Sequence, residues 1–335
     1  MLCDVSVLIT GGAGYIGAHI VRLLRERGDD VVVVDDLSSG DPARLGDTPL
    51  VTFDLAAADA VDRLRATIER YSVESIIHLA ARKQVGESVA HPAMYFRDNI
   101  GSLANVVEAC ALAGVTRLVY SSSAAVYGIP SGAPVTEDAA TEPINPYGET
   151  KLVGEWLVRD AAPAHGLRSV TLRYFNVAGA GWDDLGDPNV QNLVTIAIDR
   201  TVRGLAPVVF GDSFDTPDGT GVRDYVHVMD LAEAHLASLD ALDALGAAGG
   251  PADATVYNVG TGQGASVREV LASLAGASGE AFDPIVDPPR PGDPPSVVAD
   301  ASRIAADLGW RSSRTLDEMV VSAWRAHEWR SRTPA

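Results

Sequence analysis

Lysine is almost missing. Of the 26 lysine and arginine residues in this 335-residue chain, only Lys83 and Lys151 are lysine. Arginine therefore serves wherever a surface cation suffices. A lysine kept against that background is a candidate for a task that a planar, always-charged guanidinium cannot perform. Positive charge as a whole is short, since 45 acids bring the formal net charge to −19. Such a chain repels nucleic acid and anionic membrane surfaces, so neither is expected as a partner. An enzyme of this charge that acts on an anion must gather its few cations locally. Cysteine is scarce too. Cys3 and Cys110 lie far apart in apolar surroundings, which leaves no metal pattern and no disulfide framework. Two buried free thiols are the expectation, suited to a reducing cytoplasm. The longest apolar runs are strand-length, so no membrane span is expected. No signal peptide is expected either, because charged Asp4 and a strand pattern come at once.

What is present is ample apolar material, 47% of the chain, enough for one large or two modest domains. It is organised around the first thirty-five residues. Val5-Ser-Val-Leu-Ile-Thr10 is a strand-length apolar run, followed by Gly11-Gly-Ala-Gly14-Tyr-Ile-Gly17. Ile16, Ile20, Leu23 and Leu24 then recur at helical spacing, and Val31-Val-Val-Val34 ends in Asp35-Asp36. Strand, glycine turn, helix, strand and acid form a dinucleotide-binding βαβ unit. Gly11 permits a tight turn, Gly14 a close approach of backbone to a pyrophosphate, and Gly17 close packing of helix on sheet. The helix N-terminus offers N–H groups and a positive dipole end to the phosphates. Asp35 stands where a carboxylate accepts hydrogen bonds from the adenosine ribose. A 2′-phosphate beside Asp35 and Asp36 would meet like charge, so NAD is expected rather than NADP.

Further along, Val51–Asp54, Ser75–Ala80, Arg117–Ser121 and Ser169–Tyr174 read as strands. Residues 59–71, 92–114 and 147–162 read as helices, and 128–146 as a loop. The alternation predicts an α/β fold: a doubly wound parallel sheet (Rossmann) with a second, smaller α/β substrate lobe. The expected domains are 1–176 for the dinucleotide, joined by parts of 223–260, and 177–335 mainly for the substrate. In the second part, helices are expected over 189–203, 229–244, 266–275, 301–308 and 315–328. Strands are expected near 207–210, 224–228 and 255–258, and the Ala/Gly stretch 245–252 as a surface loop.

Tyr147 and Lys151 are four apart on a helix and share a face. A phenol titrates near 10 and is a poor base at neutral pH. A nearby ammonium favours the phenolate. A tyrosine tuned in this way can take a proton from an alcohol while hydride leaves the carbon. Ser121-Ser-Ser-Ala-Ala-Val-Tyr127 follows the fifth strand, where a serine hydroxyl can meet the reacting oxygen.

Together with Val85-Gly-Glu-Ser88, Asn145-Pro-Tyr-Gly-Glu-Thr-Lys151, Leu172-Arg-Tyr-Phe-Asn176 and Asp218-Gly-Thr-Gly-Val-Arg-Asp-Tyr-Val-His-Val-Met-Asp-Leu231, these stretches resemble the extended short-chain dehydrogenase/reductase family. The likeness reaches its nucleotide-sugar 4-epimerases and covers nearly the whole chain. Ser122, Ser123 and Ala124 stand where related dehydratases carry Thr-Asp-Glu, so the groups for eliminating water are missing. The resemblance implies NAD-dependent 4-epimerisation of UDP-glucose and UDP-galactose through a transient 4-keto sugar. It makes Ser123, Tyr147 and Lys151 the catalytic set. It implies cofactor contacts at Gly11, Gly14, Tyr15, Ile16, Gly17, Asp35, Asp36, Leu37, Ser38, Ser39, Gly40, Asp54, Leu55, Leu79, Ala80, Lys83, Asn99 and Phe175. On the substrate side it implies Ser123, Tyr147, Asn176, Asn192, Leu193, Phe210, Arg223, Tyr225, Arg290, Asp293 and Val297. Arg223 and Arg290 supply the cations that a diphosphate needs, and Asp293 an acceptor for hydroxyls. No metal is implied. The implied assembly is a cytoplasmic homodimer through helices at 93–113 and 147–162. The rival readings are an N-acetylhexosamine epimerase, a uronate-processing relative, or a non-catalytic NAD-binding scaffold.

Overall fold

The computed structural model describes residues 6–130, 132, 134–247, 254–290 and 292–332. Cys3, Asp4, Val5, most of the 245–252 stretch and the last three residues lie outside the described residues. The first elements are β1 (Ser6–Thr10), α1 (Tyr15–Arg27), β2 (Asp30–Asp35), β3 (Leu50–Thr52), α2 (Ala60–Tyr71) and β4 (Ser75–His78). There follow α3 (Val85–Ala90), α4 (Pro92–Tyr95), a π-helical turn (Phe96–Ile100), α5 (Gly101–Ala113), β5 (Arg117–Ser123), α6 (Pro146–His165) and β6 (Arg168–Tyr174). The second half holds β7 (Asn176–Ala178), α7 (Leu193–Val202), β8 (Val208–Phe210), β9 (Val222–His227), α8 (Val228–Ala247) and β10 (Ala254–Val259). It ends with β11 (Gly264–Ser266), α9 (Val267–Ser278), β12 (Ile285–Asp287), β13 (Ser296–Val297), α10 (Ser302–Leu308) and α11 (Leu316–Arg332).

The chain falls into two compact units. The first comprises Met1–Gly128, Thr141–Arg173 and Ala232–Tyr257, and the second Ile129–Ala140, Tyr174–Leu231 and Asn258–Ala335. In the first unit a seven-stranded sheet runs β10-β6-β5-β4-β1-β2-β3. The chain goes outward from β1 to β3, then returns to β4 on the other side of β1. That reversal is the doubly wound arrangement, and it opens a crevice at the carboxyl ends of β1 and β4. Register fixes what meets there. Thr10 pairs with Val34 on one side and His78 on the other, and His78 pairs with Tyr120. The next residue of each strand, Asp35, Gly11, Leu79 and Ser121, therefore reaches the same edge.

The strands of this sheet are buried on both faces, which is why they read as unbroken apolar runs. Leu8, Val32, Val34, Ile76 and Leu118 pack against Leu64 and Ile68 of α2 and Leu103, Val106 and Cys110 of α5. Each such side chain stabilises the fold by about 1.5–3 kcal/mol. Cys110 is free, and burial pushes its thiol up to about 12, so it is an inert core residue.

In the second unit β9 is central: β11 lies on one side, β13 and β7 are its other partners, and β8 pairs separately with β12. Val194, Ile198, Tyr225, Leu271, Leu274 and Met319 form its core. The expected helix at 189–203 starts only at Leu193. The Asn192 side chain caps it by accepting from Thr195 N (2.9 Å), while Asn189 and Asn192 are tied to Asp187. The third strand ends at Thr52, because Asp54 already turns the chain by accepting from Ala56 N. The long helix expected over 92–114 is interrupted by the π turn at Phe96–Ile100.

One close approach decides how α6 lies on the sheet. A Cβ on Gly154 would stand 2.1 Å from the Tyr120 hydroxyl and 3.0 Å from Leu103 Cδ2. Alanine favours a helix over glycine by about 1 kcal/mol, but overpacking a core costs about 1–3 kcal/mol. Gly154→Ala is therefore expected to lower stability by up to about 2 kcal/mol in urea unfolding. A midpoint at or above that of the parent chain would show that Tyr120 gives way freely.

Candidate active site

The glycine turn is built by three different constraints. Gly11 leaves β1 with φ +73, its N–H donates to Val34 O (2.8 Å), and a Cβ there would strike Ala80 N at 2.8 Å. Gly17 would strike the Gly11 carbonyl at 2.3 Å and Gly12 Cα at 2.6 Å. Its small size thus lets the start of α1 pack directly on the turn. Gly14 differs. It stands at the N-cap of α1 without a side-chain cap, and a Cβ there would meet only Gly11 O, at 3.3 Å. Nothing in the protein forbids a side chain at Gly14. A phosphate approaching the helix N-terminus does, so the turn fits a dinucleotide.

Asp35 closes this turn. Its buried carboxylate accepts from Ala13 N (3.0 Å) and Leu37 N (2.9 Å). Burial raises its pKa, and Asp36 adds to the rise, against the two backbone bonds. Leu37 adopts φ +60, a left-handed conformation unusual outside glycine, at the point where Asp35 receives its N–H. Asp36 accepts from both N and Oγ of Ser38, and Gly40 lies so near Asp35 that a Cβ would stand 2.9 Å from its Oδ1. Residues 35–40 thus form one acid-rich loop. At the next strand ends, Leu79 N and Ala80 N approach Thr10 Oγ1 (3.3 and 3.4 Å). Asn99, on the π turn, accepts from Arg82 N (2.8 Å) and donates to Arg82 O and Thr150 Oγ1. Gln84 N donates to the Tyr95 hydroxyl. The exposed Lys83 is therefore carried between two braced neighbours. Leu55 is buried and its carbonyl accepts from Asn105. Phe175 belongs to the second unit, where its N–H donates to Val259 O.

The acid–base group sits where β5 meets α6. Asn145 caps α6 by accepting from Gly148 N (2.9 Å), and Pro146 fills the first turn. Tyr147 is half-buried and hydrogen-bonded to the Ser123 side chain. Lys151 is buried, with Nζ donating to Ser121 O (2.7 Å) and lying 5.3 Å from the centre of the Tyr120 ring. Burial lowers Lys151 to about 8, with Glu155 opposing the shift. Tyr147 departs from expectation: burial holds its phenol above the usual value, and the Ser123 bond is the effect that pulls it down. The sequence points to the ammonium as the lowering influence. In the folded chain Lys151 turns to the Ser121 carbonyl and is itself desolvated.

Several residues here escape a linear reading. His78 is fully enclosed, hydrogen-bonded through Nδ1 to Thr10 Oγ1 (2.8 Å) and stacked on Tyr120. Burial and then Lys151 lower it to about 3, so it is neutral. Glu155 and Arg173 form a buried ion pair beside Ser122. Their partners are far apart in sequence, and no spacing rule connects them.

In the second unit, β9 sorts the most specific sequence stretch by alternation. Arg223 meets Asp293, and Tyr225 meets Asn176 by hydrogen bond. Burial pushes Tyr225 up to about 12. Between them, Asp224 turns to the other face and accepts from Thr261 N and Oγ1, Gly262 N and Ala299 N. Val297 pairs in register with Arg223, and Asn176 with Tyr225. Arg290 lies 4.1 Å above the Phe210 ring, and its carbonyl accepts from Asp293 N. Seven of the expected substrate residues are thereby gathered. Arg223 is paired with Asp293 and also donates to Val222 O, which leaves the rest of its five donors for an anion. Asn192 is spent on its helix cap and on Asp187, and Leu193 begins α7.

The paired glycines separate packing from ligand binding. Gly17→Ala is expected to destabilise the chain, by about 1–3 kcal/mol. Gly14→Ala is expected to keep the melting temperature of the cofactor-stripped chain and lose NAD affinity, read by titration. Equal NAD affinity in Gly14→Ala would remove the phosphate from that place.

Residues 7–260 match the NAD dependent epimerase/dehydratase family. A UDP-glucose 4-epimerase of Azospirillum brasilense is 45% identical over 323 residues, covering 95% of this chain and 90% of that one. The structure of a UDP-glucose 4-epimerase from Stenotrophomonas maltophila, with bound NAD and formylated UDP-arabinopyranose, is 38% identical with a TM-score of 0.91, over 98% of this chain and 99% of that. The UDP-Glc/GlcNAc 4-epimerase of Campylobacter jejuni is 35% identical with a TM-score of 0.84, over 97% and 99%.

Proposed function

Because the chain belongs to the NAD dependent epimerase/dehydratase family, we propose that it is an isomerase that inverts C4 of UDP-glucose and UDP-galactose. The observation that carries this reading is the Ser123–Tyr147 hydrogen bond with Lys151 one helical turn on, at the carboxyl end of β5. Bound NAD supplies the hydride acceptor and, on the return, the donor. Tyr147 takes the proton of the sugar 4-hydroxyl and gives it back after the 4-keto sugar has presented its other face. Ser123 holds the reacting oxygen. Lys151 carries the positive charge of the site and holds the Ser121 carbonyl, and the Ser123 bond is what lowers the phenol. Gly14 and the α1 N-terminus receive the pyrophosphate, and Asp35 with its loop the adenosine ribose. Arg223 and Arg290 receive the substrate diphosphate, and Asn176, Tyr225 and Asp293 its hydroxyls.

The reaction regenerates its cofactor, so NAD is expected to accompany the purified chain and to appear in the supernatant after denaturation. UDP-galactose is expected to yield UDP-glucose without added NAD. Tyr147→Phe is expected to keep fold and cofactor and lose about 100- to 10,000-fold in kcat. A variant retaining more than a tenth of the rate would remove Tyr147 from this role.

Exposed Phe96 (38%), Leu112 (56%) and Trp156 (46%) on the π turn, α5 and α6 support a homodimer through these helices. Among the described residues no helix is long and apolar enough to cross a membrane, which accords with a cytoplasmic enzyme. A second substrate pair is favoured by Val297. It stands in register with Arg223, where a tyrosine in some members narrows the space for a 2-substituent. UDP-N-acetylglucosamine and UDP-N-acetylgalactosamine are then also interconverted. Val297→Tyr is expected to suppress that reaction and spare the unmodified pair. Full N-acetylhexosamine activity in the variant, or none in the parent, would show that Val297 is not the gate.

A further inference from the structure

Two residues in or beside the family-like sequence stretches have no task in this chemistry. Arg173 lies in Leu172-Arg-Tyr-Phe-Asn176, and Glu155 follows Lys151 by one turn of α6. Both are buried. Their contact is a two-bond fork: Arg173 Nε donates to Glu155 Oε1 (2.9 Å) and Nη2 to Oε2 (2.6 Å). Arg173 Nη1 also donates to the Tyr127 hydroxyl (2.9 Å), with the guanidinium 4.9 Å from the centre of that ring. Ser122 Oγ donates to Glu155 Oε1. Ser122 at the end of β5 and Arg173 on β6 are thus fastened at one carboxylate of α6, and Arg173 in turn holds the 3₁₀ turn Ala124–Tyr127. Ser122 is the middle of three. Its neighbour Ser121 holds the Lys151 ammonium, and its neighbour Ser123 holds Tyr147.

An ion pair this deep adds little to stability compared with well-packed apolar residues. Its fork instead fixes one geometry, as a bidentate arginine–carboxylate pair does. We propose that Glu155 and Arg173 are positioning residues for the epimerisation, locking the end of β5 onto α6 so that Ser123, Tyr147 and Lys151 keep one arrangement. This rests on the reading of Tyr147 and Lys151 as the catalytic groups.

The pair also sets the charge around Lys151. The groups facing this lysine are Glu155 on α6, Tyr120 on β5 and His78 on β4, with Arg173 on β6 behind Glu155. His78 is neutral, and Glu155 is the charge that favours the ammonium. Without that carboxylate Lys151 loses its proton at lower pH, and activity falls earlier as pH rises.

The test is the pH profile of kcat for UDP-galactose, measured on the NAD-loaded enzyme. In Glu155→Gln, kcat is expected to fall about 10- to 100-fold at neutral pH, with KM little changed. Its alkaline limb is expected to move down by about one pH unit. Arg173→Lys keeps the charge and loses the fork, so kcat is expected to fall with the limb in place. A limb at the wild-type pH in Glu155→Gln overturns the proposal, whatever happens to kcat. Should Glu155→Gln fail to fold, Ser122→Ala decides. It removes one hydroxyl and is expected to lower kcat about threefold to tenfold at unchanged KM, with the melting temperature lowered by no more than a few degrees. A wild-type kcat there overturns the proposal. Tyr147→Phe runs in the same assay. If it is active, the underlying catalytic reading falls. If it is inactive while Glu155→Gln or Ser122→Ala behaves as wild type, only the positioning role falls.

Discussion

A single ammonium buried against a strand end sets the terms for this molecule. An isolated charge in a protein interior costs several kcal/mol unless hydrogen bonds and opposite charge compensate it. Lys151 has the Ser121 carbonyl, the face of the Tyr120 ring and the carboxylate of Glu155 one turn away. All of these require α6 to lie very close to β5, and that closeness requires Gly154. The Tyr120 ring in turn rests beside His78, whose imidazole is fixed by Thr10 at the end of β1. The acid–base group and the glycine turn are thus joined through one row of side chains across the sheet.

That row accounts for what could be read in the sequence. β1, α1 and β2 were legible because their signals are local: unbroken valines, a 3.6-residue stripe, glycines at the turn and an acid after the second strand. Tyr147 and Lys151 were legible because a helix turns a spacing of four into a shared face. The gathering of Asn176, Arg223, Tyr225, Asp293 and Val297 around β9 was not legible from spacing. It came from a family likeness, and the pairing of β7, β9 and β13 supplies its physical basis.

The rest was hidden for physical reasons. Arg173 and Glu155 are 18 positions apart and His78 and Thr10 are 68 apart, so only the folded sheet brings them together. The strands β11 and β13 are three and two residues long, too short for alternation to be seen. The start of α7 shifts because a capping asparagine outweighs helical spacing upstream of it. The balance at Tyr147 depends on desolvation, which no linear pattern reports.

The strand order carries a consequence for biosynthesis. β6 is flanked by β5 on one side and by β10 on the other, yet β10 is made some eighty residues later. Until the ribosome has passed residue 259, the sheet ends in Ser-Val-Thr-Leu-Arg-Tyr with one row of backbone groups open. An apolar edge of that kind invites pairing with another chain. Contacts of such long range also close slowly. A stalled or truncated product ending before β10 is thus the aggregation hazard of this fold, and the late strand is the piece that removes it.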